Sequence, residues 1–299
     1  MDRTPRASFP PRPAQAGFTL VELMISLAIG LAVAGALLAA YLASVQSSRH
    51  SEALSQMTED ATTALALMRQ QIAQAGFSVA RGAADGRLVQ PAFPAVLGCE
   101  AAGFRDLNAG VLAPPACEAS RGPAAPDALE VAYESAVLPG PSANAVLGGS
   151  ADQPLDCLGN TFPKTHDALG DYWLADSKFY VEGGNLMCHG PGNPAGAPLA
   201  QNVEDLQVVY GLAAAAPAPG DAVQVAYYDA APAVASADWA RVVSVQVCLQ
   251  VRSASRAVES GAASTLGSWI DCRNAVRTSA DGYLRRTFST TIVLQNRLR

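Results

Sequence analysis

Charge is scarce in this sequence. Only 15% of its 299 residues are Asp, Glu, Lys or Arg, and 26 acidic against 20 basic side chains leave a net charge of -6. Such a chain lacks the basic face that nucleic-acid binding requires, so no nucleic-acid partner is expected. Cysteine is sparse as well. Six cysteines are too few for a disulfide-dense miniprotein but enough for up to three bridges in an oxidising compartment. Hydrophobic residues reach 50%, yet 59 residues are alanine. Without them the strongly apolar share is roughly 30%, that of an ordinary soluble protein, which excludes a polytopic membrane protein. The length admits one large domain or two ordinary ones.

The apolar residues that are present gather at one end. No charge interrupts Leu23 to Val45, and no proline occurs between Phe18 and Gln90. As a helix this uncharged run is about 34 Å long, enough to cross a bilayer core of about 30 Å. A buried core helix would rarely run so far without a polar face. Arg3, Arg6 and Arg12 precede the span against Asp2 alone, and Arg49 and Glu52 are the first charges after it. That asymmetry places the N-terminus in the cytoplasm and exports the remainder. The run exceeds the about 7–15 apolar residues of a cleaved secretory signal. The Pro-rich leader reads as an exposed segment.

The span opens on Ala16-Gly17-Phe18-Thr19-Leu20-Val21-Glu22-Leu23-Met24. This resembles the type IV prepilin processing motif. The resemblance implies that a prepilin peptidase/N-methyltransferase cuts after Gly17, methylates the new N-terminal Phe18, and leaves the apolar helix in place. Glu22 gives the motif physical sense, because a carboxylate within a membrane span costs up to about 3 kcal/mol near the helix centre. The resemblance implies that it pairs with the N-terminal ammonium of a neighbouring subunit when helices stack, setting axial register. Simple contact with lipid headgroups is the competing reading.

Beyond the span, Leu54, Met57, Ala61, Leu65, Met68, Ile72 and Ala75 recur at steps of three and four, while Glu52, Glu59, Asp60, Arg69 and Gln70 fall elsewhere on the wheel. The pattern predicts that the helix continues to about Ala75 and stops at Gly76. A short coiled coil over 52–75 is the alternative. Past Gly76 the texture changes to strand-like runs between Gly/Pro/Ala-rich loops. Strands are expected at 129–133, at 178–181 and 186–188 around Glu182-Gly183-Gly184-Asn185, at 206–210 and 223–227, at 243–251 and at 288–294. The fold class is therefore α+β, with a long N-terminal helix, half membrane-spanning and half amphipathic, packed on an antiparallel β-rich head, and the resemblance implies that this arrangement is pilin-like. The expected organisation is a cleaved leader over 1–17, a transmembrane or filament-core helix over 18–45, its amphipathic continuation over 46–76, and an exported head over 77–299. Loss of the leader removes three arginines and one aspartate, leaving 17 basic and 25 acidic residues, a net of -8.

Three segments of the second half are similar to the W-type minor pilins (the PilW family): Asn202 to Gly211, Trp239 to Val245, and Leu284 to Ile292. The stretch from about 85 to 200 matches no recognised pattern. Where relatives carry an Asp/Asn-rich turn after the Tyr-Gly segment, this chain reads AAAAPAPGD, which argues against a calcium site there. Cys99, Cys117, Cys157, Cys188, Cys248 and Cys272 allow fifteen connectivities. Pairing of sequence neighbours would close loops of 18, 31 and 24 residues, each stabilising by about 3 kcal/mol in the chain-entropy account, and is favoured. No Cys-x-x-Cys exists, and His50, His166 and His189 lack metalloprotease spacing, so no metal or other cofactor is expected. His166-Asp167 reads as a surface loop, with no nucleophile elbow to make it a triad fragment.

No catalytic residue is expected, and the chain reads as a structural and assembly subunit rather than an enzyme. The resemblance implies a minor type IV pilin that helps prime pilus assembly in the tip complex. Its implied partners are other minor and major pilins, the inner-membrane assembly platform and a tip adhesin, with roles in adhesion or twitching motility. The implied location is a single-pass inner-membrane protein with a periplasmic head, later displayed on the pilus. Two other readings are a J-type minor pseudopilin of type II secretion and a ligand-binding head carried on a pilin stalk.

Overall fold

The computed structural model describes residue 17 and residues 19–83, 85–91, 93–109, 116–135, 153–214, 223–234, 238–256 and 267–298. Among the described residues there is one α-helix, α1 (Leu20–Gln74), of 55 residues. Alanine and leucine are strong helix formers, and no proline breaks the run. The chain forms two units, residues 1–49 and 50–299. In the first unit the helix is exposed almost throughout. In the second, Ala53, Met57, Ala61, Ala64, Leu65, Met68, Gln71 and Ile72 form a buried stripe, and Glu52, Glu59, Asp60, Arg69 and Gln70 are exposed. Gly76 follows with φ +74°, and its N–H donates to the Ala132 carbonyl at 2.9 Å.

The described strands of the second unit are all paired antiparallel. A six-stranded sheet contains β3 (Val96–Cys99), β4 (Ala128–Ser135), β5 (Thr165–Asp167), β6 (Gly170–Glu182), β7 (Asn185–Gly190) and β8 (Asn193–Gln201). Its order is β3-β4-β6-β7-β8, with β5 also on β6. A four-stranded sheet contains β9 (Val203–Ala213), β10 (Val225–Asp229), β11 (Val242–Arg252) and β14 (Arg285–Val293), in the order β10-β9-β11-β14. Two small hairpins complete the set: β1 (Arg81–Gly82) with β2 (Leu88–Val89), and β12 (Ser268–Ile270) with β13 (Val276–Thr278).

Local chemistry accounts for much of this. β6 and β7 join through Gly183 and Gly184 at φ 59° and 76°, the double left-handed turn that matches strand twist and that glycine adopts without strain. β11 carries Val245, Val247, Leu249 and Val251 inward, each without solvent exposure. The chain passes from the first sheet to the second across one residue, Asn202, at φ 59°; its carbonyl accepts from Arg252 N at 2.8 Å. Asparagine tolerates that conformation better than most residues. The inner faces of β4, β6, β7, β9 and β11 share one core with the α1 stripe.

The stretch Asn193–Gln201, with Pro194 and Pro198, forms an edge strand, β8, the place in a sheet where missing donors are tolerated. One expectation needs correction. His166 lies in β5 rather than in a loop, although it is solvent-exposed. The expected turn over AAAAPAPGD lies largely outside the described residues.

Candidate functional site

The residues that set the start of α1 are Gly17, Thr19 and Glu22; Phe18 lies outside the described residues. Gly17 is exposed. Thr19 caps the helix: its Oγ1 accepts from Glu22 N at 3.2 Å, and its carbonyl accepts from Leu23 N at 3.2 Å. The Thr-x-x-Glu spacing is that of a capping box, which satisfies amide donors that the first turn would otherwise leave unpaired. It also sets the Glu22 carboxylate in the first turn, where the positive end of the helix dipole favours a negative charge. The cap was readable as a sequence pattern, and attention to Glu22 alone overlooks it.

Behind this cap the helix is apolar on every side. Thirteen large apolar side chains between Leu20 and Leu42 are exposed, from Val33 at 53% to Leu20 at 75%. Removing each from water contributes about 1.5–3 kcal/mol, so together they represent tens of kcal/mol, more than the about 5–15 kcal/mol net stability of a domain. A surface of that size needs a non-aqueous surrounding, a bilayer or the apolar faces of other helices. By length and composition α1 is a candidate membrane span, and the chain is anchored in a membrane through it.

The globular unit is closed by three disulfides, Cys99–Cys117, Cys157–Cys188 and Cys248–Cys272, with Cα–Cα separations of 5.5, 6.5 and 5.7 Å. Two of them start from the same local device. In Asp156-Cys157 the Asp156 Oδ1 accepts from Leu158 N and Asn160 N, both at 2.9 Å. In Asp271-Cys272 the Asp271 Oδ1 accepts from Arg273 N at 2.9 Å and Ala275 N at 2.8 Å. A residue at positive φ follows in each turn, Gly159 or Asn274. The aspartates thus hold the turns that present the thiols, and the repeated Asp-Cys pair was the available signal.

Among the described residues no group of three or more His, Cys, Asp or Glu side chains is arranged to hold a metal. His166 Nδ1 lies 2.7 Å from Asp171 Oδ1 at the surface. His189 is buried, with Nε2 3.3 Å from Asn108 Oδ1 and 3.2 Å from the Pro194 carbonyl. Burial lowers its pKa, with the Lys178 charge adding to the effect.

Comparison with known families matches residues 171–296 to "Type IV Pilus-assembly protein W" and residues 12–38 to the prokaryotic N-terminal methylation motif. The first match starts within β6, upstream of the segments recognised in the sequence. A comparison with curated proteins finds no match. Similar solved structures include a type IV-like pilin from Thermus thermophilus, at 11% identity over 82% of this chain and 98% of that one, with a TM-score of 0.37. Another is the GspK-GspI-GspJ complex of the type 2 secretion system of enterotoxigenic Escherichia coli, at 12% identity over 80% of this chain and 97% of that chain, TM-score 0.29.

Proposed function

We propose that this W-type minor type IV pilin, identified by the family matches over its second half and its N-terminal segment, helps to prime pilus assembly from within the tip complex. The single observation that carries the reading is the all-round apolar, uncovered helix that begins at the Thr19 cap with Glu22 in its first turn. The methylation motif implies processing by the prepilin peptidase. In this reading the cut falls between Gly17 and Phe18, and Phe18 is N-methylated. The head is exported, and the apolar helix leaves the bilayer for the filament core. There Glu22 meets the N-terminal ammonium of a neighbouring pilin. In a low-dielectric bundle that attraction is several-fold stronger than in water, so it selects one axial register among many.

The partners in this scheme are other minor and major pilins, the inner-membrane assembly platform and a tip adhesin. The role is structural, and no catalytic step is assigned to the chain. Deletion of the gene should reduce surface piliation and twitching, and a Glu22→Ala copy should fail to restore them while being made and processed normally. Unchanged piliation on deletion would sink the priming role. Normal incorporation of Glu22→Ala would sink the role of its carboxylate. Loss of protein secretion with intact pili would assign the subunit to a secretion pseudopilus instead.

A further inference from the structure

On the face of the six-stranded sheet turned away from α1, two buried carboxylates surround one buried lysine. Glu130 of β4 lies opposite Lys178 of β6 in register, and Asp176 precedes Lys178 by two residues on the same face. Lys178 and Glu130 side chains are each 1% exposed and that of Asp176 is 11%. Lys178 Nζ is 2.7 Å from Asp176 Oδ2, 3.1 Å from Glu130 Oε1 and 3.1 Å from the Ala109 carbonyl oxygen. Along the two strands the cluster sits between apolar groups, Ala128 and Tyr180 at one end and Ala132, Leu174 and Tyr172 at the other.

This cluster is under-satisfied as a set of ions. Two carboxylates share one cation: Glu130 Oε1 has the Lys178 ion pair, while Glu130 Oε2 and Asp176 Oδ1 lack a hydrogen-bond partner among the described residues. Buried groups left so are uncommon in folded proteins. An ammonium and a carboxylate held apart from water are also costly, since desolvation opposes their attraction.

We propose that Lys178 and Asp176 become joined by an intramolecular isopeptide bond, with Glu130 as the proton-transfer group. The ion pair first exchanges a proton, Nζ giving one to the Asp176 carboxylate, which leaves an amine and a carboxylic acid in contact. The amine lone pair attacks Asp176 Cγ while Glu130 donates a proton to an Asp176 oxygen. The nitrogen then returns a proton to Glu130, the carbon–oxygen bond breaks, and one water leaves. The sum is an ammonium and a carboxylate converted to an amide and water, with no oxidant or other reactant. Burial first, and the Asp176 charge second, raise the Glu130 pKa, so Glu130 holds the proton that the step needs. Nζ already lies 2.7 Å from Asp176 Oδ2, so the two reacting groups are held together without loss of translational freedom. The product amide keeps one N–H, enough for the Ala109 carbonyl, and removes both formal charges from the interior.

The test is peptide mass mapping of the full chain, purified in detergent, reduced, alkylated and digested with trypsin after unfolding. The expected result is a peptide one water lighter than its sequence, uncut after Lys178, with the loss between Asp176 and Lys178. Glu130→Gln should return the full mass and normal cleavage, and Asp176→Asn should lose ammonia instead of water. A wild-type chain of full mass cut normally after Lys178 overturns the proposal, and this readout needs no variant to fold. Water loss mapped to Lys178 and Glu130 overturns the assignment to Asp176. Persistence of the link in Glu130→Gln overturns the role given to Glu130.

Discussion

Gly98 of β3 faces the buried ring of Tyr210 from the other sheet, and a Cβ placed there would lie 2.7 Å from Tyr210 Cζ and closer still to its hydroxyl oxygen. Glycine at this position is a packing requirement across the two sheets, since β3 has ordinary backbone geometry. Gly98→Ala should destabilise the fold by about 1–3 kcal/mol, the usual cost of overpacking, measured by thermal or urea unfolding of the detergent-purified chain. Adding Tyr210→Phe should recover only part, because Cζ remains in place. Stability equal to wild type would show that the Tyr210 ring shifts freely. The residue scale is also where reading from sequence was uneven. Gly183-Gly184 was legible, because a double left-handed turn is a local property of those two residues. Gly98 was not, because its partner lies 112 positions away in the chain.

Helix α1 changes environment along its length without changing its secondary structure. The side chains from Leu20 to Leu42 are exposed, whereas Met57, Met68 and Ile72 are at most 2% exposed in the head core. Their period of three and four is a local feature, so the stripe was visible in the sequence. Its polar member was less so. Gln71 is buried, and its Oε1 accepts from Tyr133 Oη at 2.8 Å and Ser177 Oγ at 3.2 Å, tying the helix to β4 and β6. Met68→Ala should cost about 2–5 kcal/mol of head stability, as for other buried large-to-small changes. Leu27→Ala should change it by no more than about 0.5 kcal/mol, because Leu27 touches no core. Both are read in the same unfolding assay. A comparable loss from Leu27→Ala would contradict the division of labour along the helix.

At the scale of the whole molecule, Asp127 fastens the two sheets together. Its N–H donates to the Leu206 carbonyl at 2.8 Å, and its carboxylate accepts from Ala101 N at 2.8 Å and Val208 N at 2.9 Å. Burial raises its pKa from 3.8 to about 6 despite those two amides. The folded state therefore holds this proton more tightly than the unfolded chain. The contribution, about 3 kcal/mol at most, is complete below pH about 4 and is lost as pH rises through about 6. Asp281 acts in the opposite sense: Arg285 holds it well below the usual carboxylate range, so its stabilisation is lost as pH falls below about 4. Unfolding temperatures should fall between pH 4 and 6 from the Asp127 contribution, and Asp127→Asn should flatten that slope; an unchanged slope would remove Asp127 as its source. Sequence by itself determined the uncharged span, the helix stop, the Gly-Gly hairpin and the valine-rich strand, because each depends on periodicity or backbone freedom within a few residues. Only the tertiary structure decided that the Pro-bearing 193–201 stretch is an edge strand, that Asp127 bridges the sheets and that Lys178 is enclosed by two carboxylates. Those outcomes depend on which distant surfaces exclude water together, and burial and desolvation act on the assembled neighbourhood rather than on the local pattern.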